Sequence, residues 1–296
     1  MNVWTRQVLG DQKAVVGMLH APALPGSPGY DGDFSAVIDT VRRDAAAWIE
    51  GGLSHHPKTS GDRLASGFWG GLMLENFGDV PFYRGRVPSE VVACLTRLAV
   101  EVKREIGDAV PLGINVLRND GESALAVAAA SGADYVRVNV LSGAVVTDQG
   151  LVEGDAARLM RRRREMGAER VSVWADVRVK HASPLGAGWR PIEEEVEELV
   201  LRAGASGVIV SGSGTGKATD LDELRAVRNV MDHLGSKTVP IWVGSGASAK
   251  TAAALLEHAD GLIVGTSVKT GGRLDAPVDP TRVKALLDAI AAFQYP

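Results

Sequence analysis

The chain has 296 residues, 45% hydrophobic and 23% charged, enough to bury a large core either as one α/β barrel or as two smaller domains. A formal net charge of -4 leaves no basic footprint for nucleic acid, and a single cysteine, Cys94, excludes an internal disulfide and suits a reducing compartment. The N-terminal stretch lacks the apolar centre of a secretory signal and no run reaches the roughly 20 apolar residues of a membrane helix, so a soluble, cytoplasmic protein without an integral membrane segment is expected.

In chain order, short β-branched runs alternate with longer helical ones. The first strand, AVVGML from Ala14, leads past His20 to the helix SAVIDTVRRDAAAWIE, which Gly51-Gly52 ends. GLMLEN from Gly71 carries Glu75, Asn76 and Asp79 at its exit. It precedes SEVVACLTRLAVEVKREI, where Ser89 after Pro88 is expected to cap the helix and Cys94 to lie on its apolar face. PLGINV from Pro111 runs into Arg118, Asn119 and Asp120, the last placed to cap ESALAVAAAS. DYVRVNV from Asp134 puts Arg137 and Asn139 on one face and Val136, Val138 and Val140 on the other. GDAARLMRRRREMG leads to VSVWADV from Val171, where Asp176 alternates with Trp174, Arg178 and Lys180 toward the strand exit, and His181 follows. IEEEVEELVLRAG, GVIVSG from Gly207, DLDELRAVRNVMDHLG, PIWVGS from Pro240, SAKTAAALLEHA, GLIVGT from Gly261 and DPTRVKALLDAIAAF complete the alternation.

Eight strands, each followed by a helix, predict a single (β/α)8 TIM barrel over residues 1–296, because a parallel strand rejoins its sheet only through a crossover. A doubly wound open sheet competes, but no strand is followed by a GxGxxG turn with an acidic residue about 20 positions on. Gly107, Gly132, Gly204 and Gly235 stand where helices need left-handed exits, and Asp220 where one needs a cap.

Barrel chemistry sits at the C-terminal strand ends, and a phosphate site often forms from the last two turns. Those turns are Gly244-Ser245-Gly246 and Gly265-Thr266-Ser267, and the sixth adds Ser211, Gly212, Ser213 and Thr215 beside Lys217. Bare turns let successive N–H groups approach an anion, and a helix starting near Ser248 would add its positive end. These turns are read as a phosphate grip, against the plainer explanation of tight βα turns. An inward Arg137 needs a partner, and Asp176 is the natural one, either as a structural ion pair or as part of the site. Asp176, Lys180, His181 and Glu75 are the catalytic candidates; His20, Asn76, Asn115, Arg118, Arg137 and Asn139 would orient the substrate. Glu75, Asp79 and Asp176 offer oxygen ligands for Mg²⁺ beside a phosphate, although no compact metal motif is present. The run Arg161 to Arg164 reads first as a solvated helix face and second as a polyanion or membrane patch.

The stretches VVGMLHAPALPGSPGY, LENFGDVPF, GINVLRND, YVRVNVLSGAVVTDQGLVEGDAARLMRRR, WADVRVKHASPL and VGSGAS...ADGLIVGTSVKTGG resemble the BtpA family, which includes SgcQ-like proteins and carries the label photosystem I biogenesis protein. The resemblance runs from about Val15 to Arg282 and implies a barrel of the ribulose-phosphate-binding type, but no shared reaction and no set of catalytic residues. Two departures stand out. Where the family passes from Gly-Gly directly into the second strand, this chain inserts residues of about 53–70, including His55 and His56, with Phe68 and Trp69 as candidate anchors. A helix-to-strand loop lies at the barrel bottom, so the histidines are expected far from the mouth, on a surface loop or subunit contact. Thr251 stands where relatives often have asparagine.

The expectation is a cytosolic, homo-oligomeric enzyme acting on a phosphorylated or diphosphorylated small molecule, by lyase, isomerase or transferase chemistry. The alternative is a non-catalytic assembly or regulatory factor of the BtpA type, peripheral to a membrane.

Overall fold

The computed structural model describes residues 12–54, 68–108, 110–212, 219–236 and 238–294. In chain order its strands are β1 (Ala14–His20), β2 (Leu53–Ser54), β3 (Phe68–Glu75), β4 (Leu112–Asn115), β5 (Tyr135–Val138) and β6 (Ala144–Thr147). They continue as β7 (Gly150–Glu153), β8 (Ser172–Asp176), β9 (Ala182–Pro184), β10 (Gly207–Val210), β11 (Ile241–Val243) and β12 (Gly261–Val264). Eight of them pair in parallel in the order β1-β12-β11-β10-β8-β5-β4-β3, and a β1–β3 ladder closes the ring. The closed barrel is the one the alternation predicts, with helices between its strands.

Strand alternation divides the apolar residues into two cores. Outward residues such as Leu19, Leu74, Ile114, Val136, Val173 and Val208 pack with the apolar stripes of the helices Phe34–Glu50 and Ser89–Ile106, which contribute Val41, Trp48, Leu95 and Leu98. Inward residues form a separate plug of Val16, Met18, Met73, Tyr135, Trp174, Ile209, Trp242 and Ile263. Within it Trp174 stacks on Tyr135 at 4.0 Å between ring centroids and on Trp242 at 4.4 Å. These large rings fit because neighbouring strands carry glycine opposite them: a Cβ on Gly113 would strike the Tyr135 ring, one on Gly207 Trp174, and one on Gly261 Trp242.

Helix starts follow side-chain chemistry at Asp33, Asp120, Asp155 and Asp220, each accepting a hydrogen bond from a backbone N–H in the first turn. Gly107, Gly132, Gly204 and Gly235 all have positive φ, from 63° to 80°, as their helix exits require. Three local expectations are corrected. Ser89 is the first helical residue, and the cap position is Pro88, which makes no side-chain cap bond. SAKTAAALLEHA is helical only over Ala252–Leu256, because Thr251 Oγ1 bonds back to Gly246 O and takes the Ser248 N–H, holding residues 246–251 as a turn. IEEEVEELVLRAG is α-helical over Ile192–Glu197 and then widens into a π-helical stretch, Glu198–Arg202.

An antiparallel sheet of β7, β6 and β9, which the alternation did not reveal, stands beyond the barrel's C-terminal face on its own small core of Val140, Val145, Val152 and Val179. Its signal was the hairpin AVVTDQGLVE, where Gly150 turns at φ 94°. Of the 53–70 insertion, His55, His56 and the rest of residues 55–67 lie outside the described residues. Its two ends pair as Leu53↔Phe68 and Ser54↔Trp69 at the start of β3, which is the barrel's N-terminal side.

Candidate active site

Each barrel strand presents an inward column of alternating residues, and the top of that column defines the mouth. Continuing upward from Met18, Met73, Gly113, Tyr135, Trp174, Ile209, Trp242 and Ile263, the next inward residues are His20, Glu75, Asn115, Arg137, Asp176, Ser211, Gly244 and Gly265. The ladder register places four of them side by side, as His20↔Glu75, Glu75↔Asn115 and Asn115↔Arg137. Six strands therefore offer polar side chains at this level and two offer bare backbone. A Cβ on Gly244 would lie 2.7 Å from Ile209 Cγ2 and collide with Ser211 Oγ, and one on Gly265 would lie 2.7 Å from His20 Cε1, so the glycines are needed for the ring to close.

Asp176 is the hub of this ring. Its Oδ2 accepts from Arg137 Nε at 2.9 Å and Asn139 Nδ2 at 3.1 Å; its Oδ1 accepts from Arg137 Nη2 at 2.7 Å and Ser211 Oγ at 3.0 Å. With the carboxylate side chain at 0% exposure, those four bonds fill its lone pairs and hold the Arg137 fork in one orientation. The neighbouring Asp176 charge keeps Arg137 firmly cationic, against a burial that alone would weaken it.

Glu75, Lys180 and His20 behave differently. The Glu75 side chain and the Lys180 ammonium have no hydrogen bond or ion pair among the described residues, and both border a cavity of about 250 Å³ together with His20, Arg137 and the turns 244–248 and 265–267. Burial pushes the Glu75 carboxyl up, against the pull of Lys180, Arg137 and Arg118. Burial and the Arg137 charge pull the Lys180 ammonium down. His20 is lowered to about 3 by burial and by the Lys269, Lys180 and Arg137 charges, so it is neutral at ordinary pH. Two buried atoms in the ring, His20 Nδ1 and Asn115 Oδ1, have no partner. A polar atom buried without a partner is costly in a finished core, and of these two His20 Nδ1 belongs to a residue of the cavity wall, where a ligand could satisfy it.

Other predicted residues serve the architecture. Asn76 donates to Asp79 Oδ2 and accepts from the Leu117 N–H, while Asp79 also accepts from the Leu24 N–H at 2.8 Å, clasping the loops after β1, β3 and β4. Arg118 donates to Lys180 O at 2.6 Å and so fixes the backbone that carries Lys180. Arg178 leaves the inward alternation and pairs with Glu195 at 2.8 Å and Glu223 at 3.5 Å under the Trp189 ring. His181 is exposed at φ 57° and does not join the cavity wall. The expected Mg²⁺ set of Glu75, Asp79 and Asp176 does not converge: Asp79 and Asp176 are committed to other bonds, and no metal-holding group of three His, Cys, Asp or Glu occurs among the described residues.

In the turns, Gly212 N–H donates to Ser245 Oγ at 2.7 Å and Thr219 Oγ1 to Ser245 O at 3.0 Å, while Gly246 sits at φ 74°. Thr215, with Ser213 and Lys217, lies outside the described residues. The helix that was to start near Ser248 begins at Ala252 and is too short to supply a helix end, so only the turn N–H groups remain for an anion. Ser248 joins the cavity wall although it was not among the sequence candidates; its only signal was its place in the seventh turn. The arginine run serves its own helix, where Arg161 bonds Ala157 O and Arg162 pairs with Glu165. No helix among the described residues is long and apolar enough to cross a membrane.

The profile of the BtpA family matches residues 11–56 and 58–292. The chain belongs to the BtpA family. The Photosystem I biogenesis protein BtpA of Synechocystis is 37% identical over 285 residues, covering 96% of this chain and 90% of that protein. An uncharacterized protein of Pyrococcus horikoshii is 39% identical over 284 residues, covering 96% of this chain and 98% of that protein. Among solved structures, N-(5'-phosphoribosyl)anthranilate isomerase from Pyrococcus furiosus superposes with a TM-score of 0.53 at 14% identity, covering 95% of this chain and all (100%) of that one; the likeness is one of fold.

Proposed function

We propose that this BtpA protein is an enzyme acting on a phosphorylated small molecule at the barrel mouth. The supporting observation is the division of the cavity wall: the small-residue turns 244–248 and 265–267, with bare backbone at Gly244, Gly246 and Gly265, on one side, and uncommitted Glu75, Lys180 and His20 on the other. In this reading the turn N–H groups and Lys180 hold the phosphate. Arg137, fixed by Asp176, orients an oxygen of the substrate. Glu75, whose proton affinity burial raises, gives and takes the proton. Proton transfer beside a phosphate suits lyase, isomerase or transferase chemistry. Asp176 becomes a positioning residue, since its lone pairs are already filled.

The test is calorimetric titration with inorganic phosphate. Gly246→Asp places a carboxylate in the turn, so a folded variant is expected to lose phosphate binding; unchanged affinity overturns the reading. The name of the Synechocystis relative favours a second reading, a non-catalytic assembly factor. In Synechocystis lacking its own BtpA, an assembly role predicts that wild type and Glu75→Gln chains restore photosystem I equally, whereas an enzymatic role predicts restoration by wild type alone.

A further inference from the structure

A second cavity, of about 460 Å³, opens beside the mouth between the helix Phe34–Glu50 and the loops that follow β1, β3 and β12. Its apolar wall is Ala21, Pro22, Phe77, Leu274, Ala276 and Pro277. Its buried charges are already committed: Lys269 Nζ donates to Leu274 O at 2.9 Å and stands 3.9 Å from Asp44 Oδ2, and Asp44 Oδ1 takes the Val278 N–H at 3.2 Å. His20 is common to this cavity and to the mouth, with its ring 4.8 Å from that of Phe77. A polar, anion-suited chamber and an apolar chamber thus share one wall residue, and that residue is uncharged at neutral pH.

We propose that the apolar chamber receives the organic part of the substrate whose phosphate occupies the mouth, so that the substrate is a phosphate monoester bearing a prenyl-like or aryl-like group. The inference rests on the phosphate reading above and narrows its substrate class. Thr40, Arg43 and Asp275 also border this cavity, Asp275 already paired with Arg273 at 3.0 Å, but most of its exposed wall is apolar. A sugar phosphate would therefore set hydroxyl groups largely against Phe77, Leu274 and Pro277, and burying a hydroxyl unpaired is unfavourable. An apolar group there leaves water for a surface that suits it.

Calorimetry on the full chain tests this with inorganic phosphate, ribose 5-phosphate and dimethylallyl phosphate. Dimethylallyl phosphate is expected to bind at least about tenfold more tightly than inorganic phosphate, from burial of its five carbons. Thr40→Trp, from a half-buried position on the helix Phe34–Glu50 outside the mouth, fills the chamber and should remove that gain while leaving the affinity for inorganic phosphate unchanged. Leu274→Trp fills it from the opposite wall should the first variant not fold. If inorganic phosphate binds but dimethylallyl phosphate binds no better, or ribose 5-phosphate binds best, or the gain survives both tryptophans, the apolar chamber is not the subsite and the phosphate reading stands. If neither phosphate nor its esters bind, both fall together.

Discussion

Asp176 and Glu75 are both buried carboxylates at strand ends, yet their surroundings give them opposite characters. Asp176 is saturated by Arg137, Asn139 and Ser211, so Asp176→Asn should act first on stability. Removing one member of a buried pair leaves the other charged and uncompensated, and a loss of about 3 kcal/mol is expected in urea denaturation. Glu75→Gln removes no hydrogen bond seen in the structure, so the fold should be kept and, with a substrate in hand, kcat should drop by about 10²-fold to 10⁴-fold while phosphate binding persists. His20 supplies a pH test. Its folded pKa is lowered to about 3 from the ordinary 6.5, so between those values the unfolded chain binds one more proton than the folded one and stability falls as pH falls. Compared with His20→Gln, the wild type should lose stability on acidification from pH 6.5 with a slope approaching about 1.4 kcal/mol per pH unit, and the difference should be flat above pH 7. Glu75, raised by burial, acts with the opposite sign, and comparing two proteins that both contain it cancels that contribution.

At the scale of elements, glycine and aromatic residues are matched across neighbouring strands. Gly113 faces Tyr135, Gly207 faces Trp174 and Gly261 faces Trp242, and the rings so accommodated stack into the floor beneath the mouth. Gly207→Ala would bring a methyl group within 2.6 Å of Trp174 Cδ1. Overpacking of this kind typically costs about 1–3 kcal/mol, and equilibrium denaturation should show it as a lower midpoint with an unchanged m value. The register of β1, β3, β4 and β5 was legible in the alternation of their residues, which is why Arg137 and Asn139 could be read as inward and Val136 and Val138 as outward. The exits were less legible. Arg178 continues the inward alternation on paper, but the strand ends at Asp176, and past that point the chain turns Arg178 toward Glu195 and Glu223.

For the molecule as a whole, a continuous parallel ladder around the ring contrasts with the appended sheet of β6, β7 and β9, whose core is four valines. Local opening should follow that contrast. Native-state hydrogen exchange is expected to show the amides of β1, β5 and β8 exchanging only through global unfolding, and those of β6 and β7 through a smaller opening at lower free energy. Equal protection of both sheets would show that the appended sheet unfolds with the barrel.

The sequence by itself determined the barrel, because eight apolar runs separated by amphipathic stretches admit few arrangements in which parallel strands pair and both faces are covered. It also determined which residues crowd the strand ends, since period-two alternation and the C-terminal placement of chemistry are local rules. It could not say which of these residues are spent on holding one another. Asn76, Asp79, Arg118 and Asp176 have the same chemistry on paper as Glu75, Lys180 and His20, and only the tertiary structure separates those whose bonds are filled from those left open. That difference depends on partners tens of residues away, as in the 39-residue separation of Arg137 and Asp176, and hydrogen-bond saturation is set by distance and angle in space rather than by position along the chain.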